Sequence, residues 1–127
     1  MTDSWNVLGD RFLMFCGVDD LVFENVLCGA SGWVSGLVNS FPAEGVRLYE
    51  LTRAGRIEEA RALYRWFMPL LHLDVQKKLV QYIKLVNQMT GMGTEWVRAP
   101  RLPLVGEERA RIEGIILRAL ETRPSLA

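Results

Sequence analysis

The stretch FLMFCGVDD, residues 12–20, decides how the rest of the chain is read. Phe12 to Cys16 is a continuous apolar run of strand length, suited to a parallel strand covered on both faces. Gly17 ends the run, and the adjacent carboxylates Asp19 and Asp20 stand where such a strand would emerge. Asp19 fits the N-cap of a helix over roughly 20–28, whose apolar set is Leu21, Val22, Val26 and Leu27. Asp20 fits equally a first-turn acid favoured by the helix dipole or a group that touches substrate. A metal held by Asp19, Asp20 and Glu24 is a further use of these acids, but no additional ligands accompany them.

Downstream, Gly29-Ala30-Ser31-Gly32 is a turn and WVSGLV (33–38) reads as a second short strand. Asn39-Ser40-Phe41-Pro42 opens the next helix, with Pro42 near its first position and Gly55 as its C-cap. Strand, helix, strand, helix with short turns implies a parallel crossover unit. After Gly55 the pattern is helical. Ile57, Ala60, Tyr64, Phe67, Met68 and Leu71 form one stripe, which Pro69 is expected to kink or end. Val75, Leu79, Ile83 and Val86 form the next, closed near Gly91–Gly93. WVRAPRLPLVG is an extended strap with buried leucines, followed from Glu107 by a helix with Ile112, Ile115, Ile116, Ala119 and Leu120 on its core side. Two parallel strands cannot form an independent sheet, so this layout is expected to be the end of a larger α/β domain whose beginning is lacking.

The chain has 127 residues, half of them apolar and 24% charged, which describes a globular domain able to bury a core. Lys+Arg and Asp+Glu each number 15, and the arginines lie among acidic residues along helical stretches. A solvated, ion-paired helix surface follows, with no nucleic-acid partner. No apolar run approaches the roughly 18 residues of a membrane span. The polar N-terminus MTDSWNVLGD, read as carrying no leader, and the two cysteines place the protein in the reducing cytoplasm. Cys16 and Cys28 read as core packing. His72, the lone histidine, has no Cys or His at ligand spacing, so no metal is expected. The aromatic series Tyr64, Trp66 and Phe67 reads as helix packing or a subunit contact.

The order of these elements, together with LGDRFLMFCGVDD (8–20), GASGWVSGLVN (29–39), AGRIEEARALYRWFMPL (54–70), QYIKLVNQMTG (81–91) and RLPLVGEERARI (101–112), resembles the C-terminal part of one family. This is the dihydrodipicolinate synthase / N-acetylneuraminate lyase family of Schiff-base aldolases, eight-stranded β/α (TIM) barrels with extra C-terminal helices. The resemblance covers roughly residues 7–121. It implies an α/β fold: the C-terminal portion of a barrel, with two parallel strands at about 12–17 and 33–38, their helices, and C-terminal helices after them. Residues 1–55 would be the last two β/α units and residues 56–127 the helical region of one incomplete domain.

The same resemblance implies a substrate-binding wall made of Gly17, Asp19, Asp20, Val34 and Gly36. Gly17 matches a rim glycine whose backbone lies against the bound keto acid, and Val34 an aliphatic residue whose backbone lies by the Schiff base. Gly17-Val18-Asp19-Asp20 looks more like the sugar-acid lyase branch, in which two acidic positions face substrate hydroxyls. Gly36 falls where that branch often has a serine on the substrate, so that hydrogen bond is absent here. Together with GWVSGLVN and YRWFMPLLHLD, this leans toward sugar-acid or hydroxyproline-catabolic relatives rather than lysine biosynthesis.

The family reaction also needs a strand-borne imine lysine, a proton-shuttling tyrosine and a hydroxyl-rich carboxylate-binding motif, all on strands earlier than any found here. Lys77, Lys78 and Lys84, the only lysines, fall in one helical stretch after the last strand, and Tyr49, Tyr64 and Tyr82 are also helical. An imine lysine needs a desolvated pocket that depresses its pKa, which an exposed helix surface does not offer. The expectation is therefore a fragment of a lyase for hydroxylated 2-oxo acids, pyruvate-like or sugar-acid-like, with no cofactor and no catalytic residue of its own, and inactive alone. Its expected associates are further copies of itself or an N-terminal barrel portion. The alternative is a non-catalytic helical self-association or interaction module derived from that family.

Overall fold

The computed structural model describes residues 1–126; Ala127, at the end of the expected helical region, lies outside the described residues. A short helix α1 (Thr2–Leu8) leads through a 3₁₀ turn to β1 (Phe15–Cys16), then α2 (Val22–Leu27) and β2 (Gly32–Trp33). Four longer helices follow: α3 (Pro42–Arg53), α4 (Ile57–Leu71), α5 (Leu79–Met89) and α6 (Gly106–Glu121). The strands pair in parallel, with Phe15 opposite Gly32 and Cys16 opposite Trp33. The ladder is extended by the Ser31 amide donating to the Met14 carbonyl (2.7 Å) and the Val34 amide to the Cys16 carbonyl (2.9 Å).

The paired segment is much shorter than the two six-residue strands expected. Each strand has a hydrogen-bonded neighbour on one edge only, so nothing holds Phe12 or Leu13, or the residues after Val34, in a ladder. The helix after β1 also differs from the expected one. It begins at Val22, behind a 3₁₀ turn over Asp19–Leu21, and the Asp19 side chain does not cap it.

The helices follow from local chemistry. Pro42 occupies the first turn of α3, where its missing N–H costs nothing. The helix stops because Gly55 takes φ +71°, allowing the Arg56 amide to reach back to the Leu51 carbonyl (3.0 Å). Helix α4 buries Ala60, Leu63, Tyr64, Phe67, Leu70 and Leu71. It runs two residues beyond Pro69, because a proline so near the C-terminus removes one exposed backbone bond rather than interrupting a buried one. On α5 the buried set is Tyr82, Ile83, Leu85 and Val86; Val75 precedes the helix and is exposed. Ile112, Ile116 and Ala119 of α6 complete the core.

Phe41, Trp66 and Phe67 form the centre of that core, with Phe41 edge-on to both partners and Trp66 stacked on Phe67 at 5.2 Å. In the strap, Leu104 is 6% exposed and Leu102 76%, so only one of its two leucines is buried. Cys16 is buried and Cys28 is exposed, which corrects the expectation that both pack in the core. Glu44 is buried on α3 and pairs through Oε1 with Arg123 beyond α6, tying the C-terminal segment to the first long helix. No helix of the described residues is long and apolar enough to cross a membrane.

Candidate active-site wall

The ends of β1 and β2 lie side by side, which brings Gly17, Asp19, Asp20, Val34 and Gly36 into one neighbourhood. Their environments differ sharply. Asp19 is fully buried. Its Oδ1 accepts a hydrogen bond from the Trp33 indole Nε1–H (3.0 Å), and its Oδ2 accepts one from the Leu37 amide (3.1 Å). Leu37 opens the 3₁₀ turn after β2, so Asp19 caps the segment that follows the other strand rather than its own helix. Its amide in turn donates to Asp74 Oδ2 (3.4 Å), from the connection between α4 and α5.

Asp19 thus joins both strand ends to the helical half. Burial raises its pKa above the usual carboxylate range, and the nearby Asp74 carboxylate pushes the same way. Hydrogen bonds from Ser35, Leu37 and Trp33 oppose the rise. With both oxygens engaged and no exposed surface, this carboxylate acts on the rim by holding it.

Asp20 is positioned from the helical side. The Tyr64 hydroxyl of α4 bonds the Asp20 carbonyl and lies 2.8 Å from Glu24 Oε2. His72, at the C-cap of α4, places Nε2 3.8 Å from Asp20 Oδ2. Burial and the Glu24 partner hold the Tyr64 phenol well above its ordinary pKa, so it serves as a neutral donor.

Gly17 is exposed, and a Cβ there would meet nothing within 4 Å. Val34 is 68% exposed. Gly36 instead faces the helical half: a Cβ on it would come 2.9 Å from Ile83 Cδ1 and 3.5 Å from Asp74 Oδ1. Close packing against α5 therefore accounts for the missing side chain there.

The lysines are elsewhere. Lys77 and Lys78 precede α5 and are exposed, and Lys84 lies half-buried within it. Lys78 Nζ binds Glu108 Oε2 at 2.5 Å, and that bond raises its pKa, the opposite of what imine formation requires.

Asp74, Tyr64, His72 and the indole of Trp33 are the participants that sequence reasoning missed. Asp74 lies 55 positions from Asp19, and Tyr64 44 positions from Asp20. No local spacing could have signalled either.

The family model that matches residues 1–119 is that of the dihydrodipicolinate synthetase family. The chain belongs to this family. It is 33% identical to the 4-hydroxy-tetrahydrodipicolinate synthase of Exiguobacterium sibiricum over 110 residues, which are 87% of this chain and 36% of that protein. A relative from Emericella nidulans, named as a probable mitochondrial 4-hydroxy-2-oxoglutarate aldolase, is 29% identical across 93% of this chain and 38% of its own length.

Among solved structures, the 4-hydroxy-tetrahydrodipicolinate synthase of Methylacidiphilum fumariolicum SolV superposes with a TM-score of 0.79 at 27% identity. The match covers 91% of this chain and 39% of that one. The chain therefore spans well under half the length of the relatives it matches. Its fold is a portion of a β/α barrel: two parallel strands and their helices, with further helices after them. The two relatives' identities, 33% and 29%, do not separate the branches of the family, so the lean away from lysine biosynthesis gains no support.

Proposed function

We propose that this chain forms one wall of a Schiff-base lyase site for a hydroxylated 2-oxo acid. In this account it corresponds to the C-terminal part of the family barrel: residues 1–55 are the last two β/α units, and the rest is the helical region. Gly17 and Val34 offer open backbone at the strand ends, where barrel active sites lie. Asp20 presents an acceptor to a substrate hydroxyl, steadied by Tyr64 and His72. Asp19 and Gly36 take part indirectly, Asp19 by clamping the two strand ends and Gly36 by letting α5 approach.

The observation that carries the reading is the placement of the lysines. Lys77, Lys78 and Lys84 are all on or just before α5, and Lys78 is held as an ammonium by Glu108. The imine lysine must then come from β/α polypeptide corresponding to the length of the relatives that has no counterpart here. Once a 2-oxo acid is bound to that lysine, aldol cleavage, dehydration or deamination would draw electrons into the iminium. This wall would orient the hydroxyls and exclude water. The exposed Phe15 and Val34, on a two-stranded ladder with both outer edges open, support association with such a partner or with further copies.

Borohydride reduction of the chain with pyruvate tests the reading. No covalent adduct is expected on the 127-residue species alone, and an adduct is expected on the partner's lysine when a polypeptide carrying the missing β/α units is added. A stoichiometric adduct on this chain by itself would overturn the reading.

A further inference from the structure

Beside Asp20, α2 and α4 enclose an open groove of about 590 Å³, within the range of small-ligand sites, which shares Tyr64 and His72 with the candidate wall. It is lined by Phe23, Glu24, Tyr64, Met68 and Pro69, with Arg61, Arg65 and His72 along the α4 side. Arg61 and Arg65 are four residues apart and therefore share a helix face. The floor is apolar: the rings of Phe23 and Tyr64 stack with centroids 5.3 Å apart. Tyr64 fixes Glu24 through its hydroxyl (2.8 Å).

The charges on the two walls do not neutralise one another. Glu24 makes no ion pair among the described residues, and neither does Arg65; Arg61 pairs with Glu58 on its own helix, and His72 with Asp20. Opposite charges that share a groove without meeting leave a gap that a ligand with both charges would span.

We infer that this groove binds a zwitterionic α-amino acid with an apolar side chain. Its carboxylate would sit on Arg65, whose unpaired guanidinium fork suits a carboxylate. Its ammonium would sit on Glu24, and its side chain on Phe23, Tyr64 and Met68. Its charged contacts, Arg65 and Glu24, have no role in the imine account, so it stands whether or not that account does.

Calorimetric titration of the full chain at neutral pH with L-leucine, 4-methylpentanoate and 3-methylbutylamine tests it, since the last two each lack one charge. Saturable leucine binding is expected, with both half-analogues at least about tenfold weaker. Arg65→Ala and Glu24→Gln should each weaken leucine about tenfold without changing the circular dichroism. The proton resonances of His72, the only histidine, should shift on leucine addition. The inference is overturned by any of four results: no saturable leucine binding; 4-methylpentanoate binding as tightly as leucine, which would mark an anion site; an unchanged affinity in Glu24→Gln; or binding that leaves His72 unmoved.

Discussion

In the helical half, Phe41, Phe67, Leu48, Leu70, Leu85, Ile112 and Ile116 are fully enclosed, and the elements that carry them cover one another. In the strand half, Phe12, Leu13, Phe15 and Val34 remain exposed, and the two-residue strands each keep a free edge. The difference separates a half that satisfies its own packing from one that leaves apolar side chains and ladder edges open. Helices bury a stripe against one another and need no outside neighbour. A parallel strand needs partners on both edges and cover on both faces, and two strands cannot provide that. The candidate site falls in the dependent half, held to the self-sufficient one by Asp19, Asp74, Tyr64 and His72.

The sharpest way to break this contrast is at the aromatic centre. Phe67→Ala should cost about 3–5 kcal/mol in denaturant unfolding, through lost burial and the cavity left among Phe41 and Trp66. A cost below about 1 kcal/mol would show that the helical core is not the main source of stability.

Next comes the strut between the halves. Asp19→Ala strands the Trp33 indole and the Leu37 amide, and should cost about 2–4 kcal/mol by the same measurement.

The pH dependence of Asp19 sharpens the same point. Its native pKa is raised, so the native state binds this proton more readily than the unfolded chain does. That contribution is fully present below the unfolded value of about 3.8 and is lost as pH rises through the raised native value. Wild type should therefore gain stability relative to Asp19→Asn on acidification through that window; the opposite trend would mean that the carboxylate is stabilised in its charged form.

Smallest is the effect expected at the open edge. Phe15→Ser removes a ring that is 54% exposed and should change unfolding by less than about 1 kcal/mol, while reducing self-association in sedimentation velocity.

How far the sequence could be read divides along the same line. Helices α3 and α6 were legible because Pro42 and Gly55 mark the ends of one and a 3.6-residue stripe marks the other. Helix α1 was missed because it buries no residue and so shows no stripe. The strands were drawn too long because an apolar run such as FLMFC marks where a strand could be covered, and pairing depends on neighbours that local sequence cannot supply. The resemblance grouped Gly17, Asp19, Asp20, Val34 and Gly36, but it carried nothing of their surroundings. Asp19 looked like a cap for its own helix because N-cap preference is local, and the Trp33 and Leu37 donors that claim it are 14 and 18 positions away.

Hydrogen exchange on the isolated chain, followed residue by residue, tests most directly whether one half stands alone while the other waits for cover. The account predicts slow exchange for amides of the buried turns of α4 and α6, around Leu63–Leu70 and Ile112–Ile116. It predicts exchange faster by orders of magnitude for residues 12–14 and 17–18, with the amides of Cys16 and Val34 between the two because the ladder holds them. Equal protection across the strand ends and the long helices would contradict it.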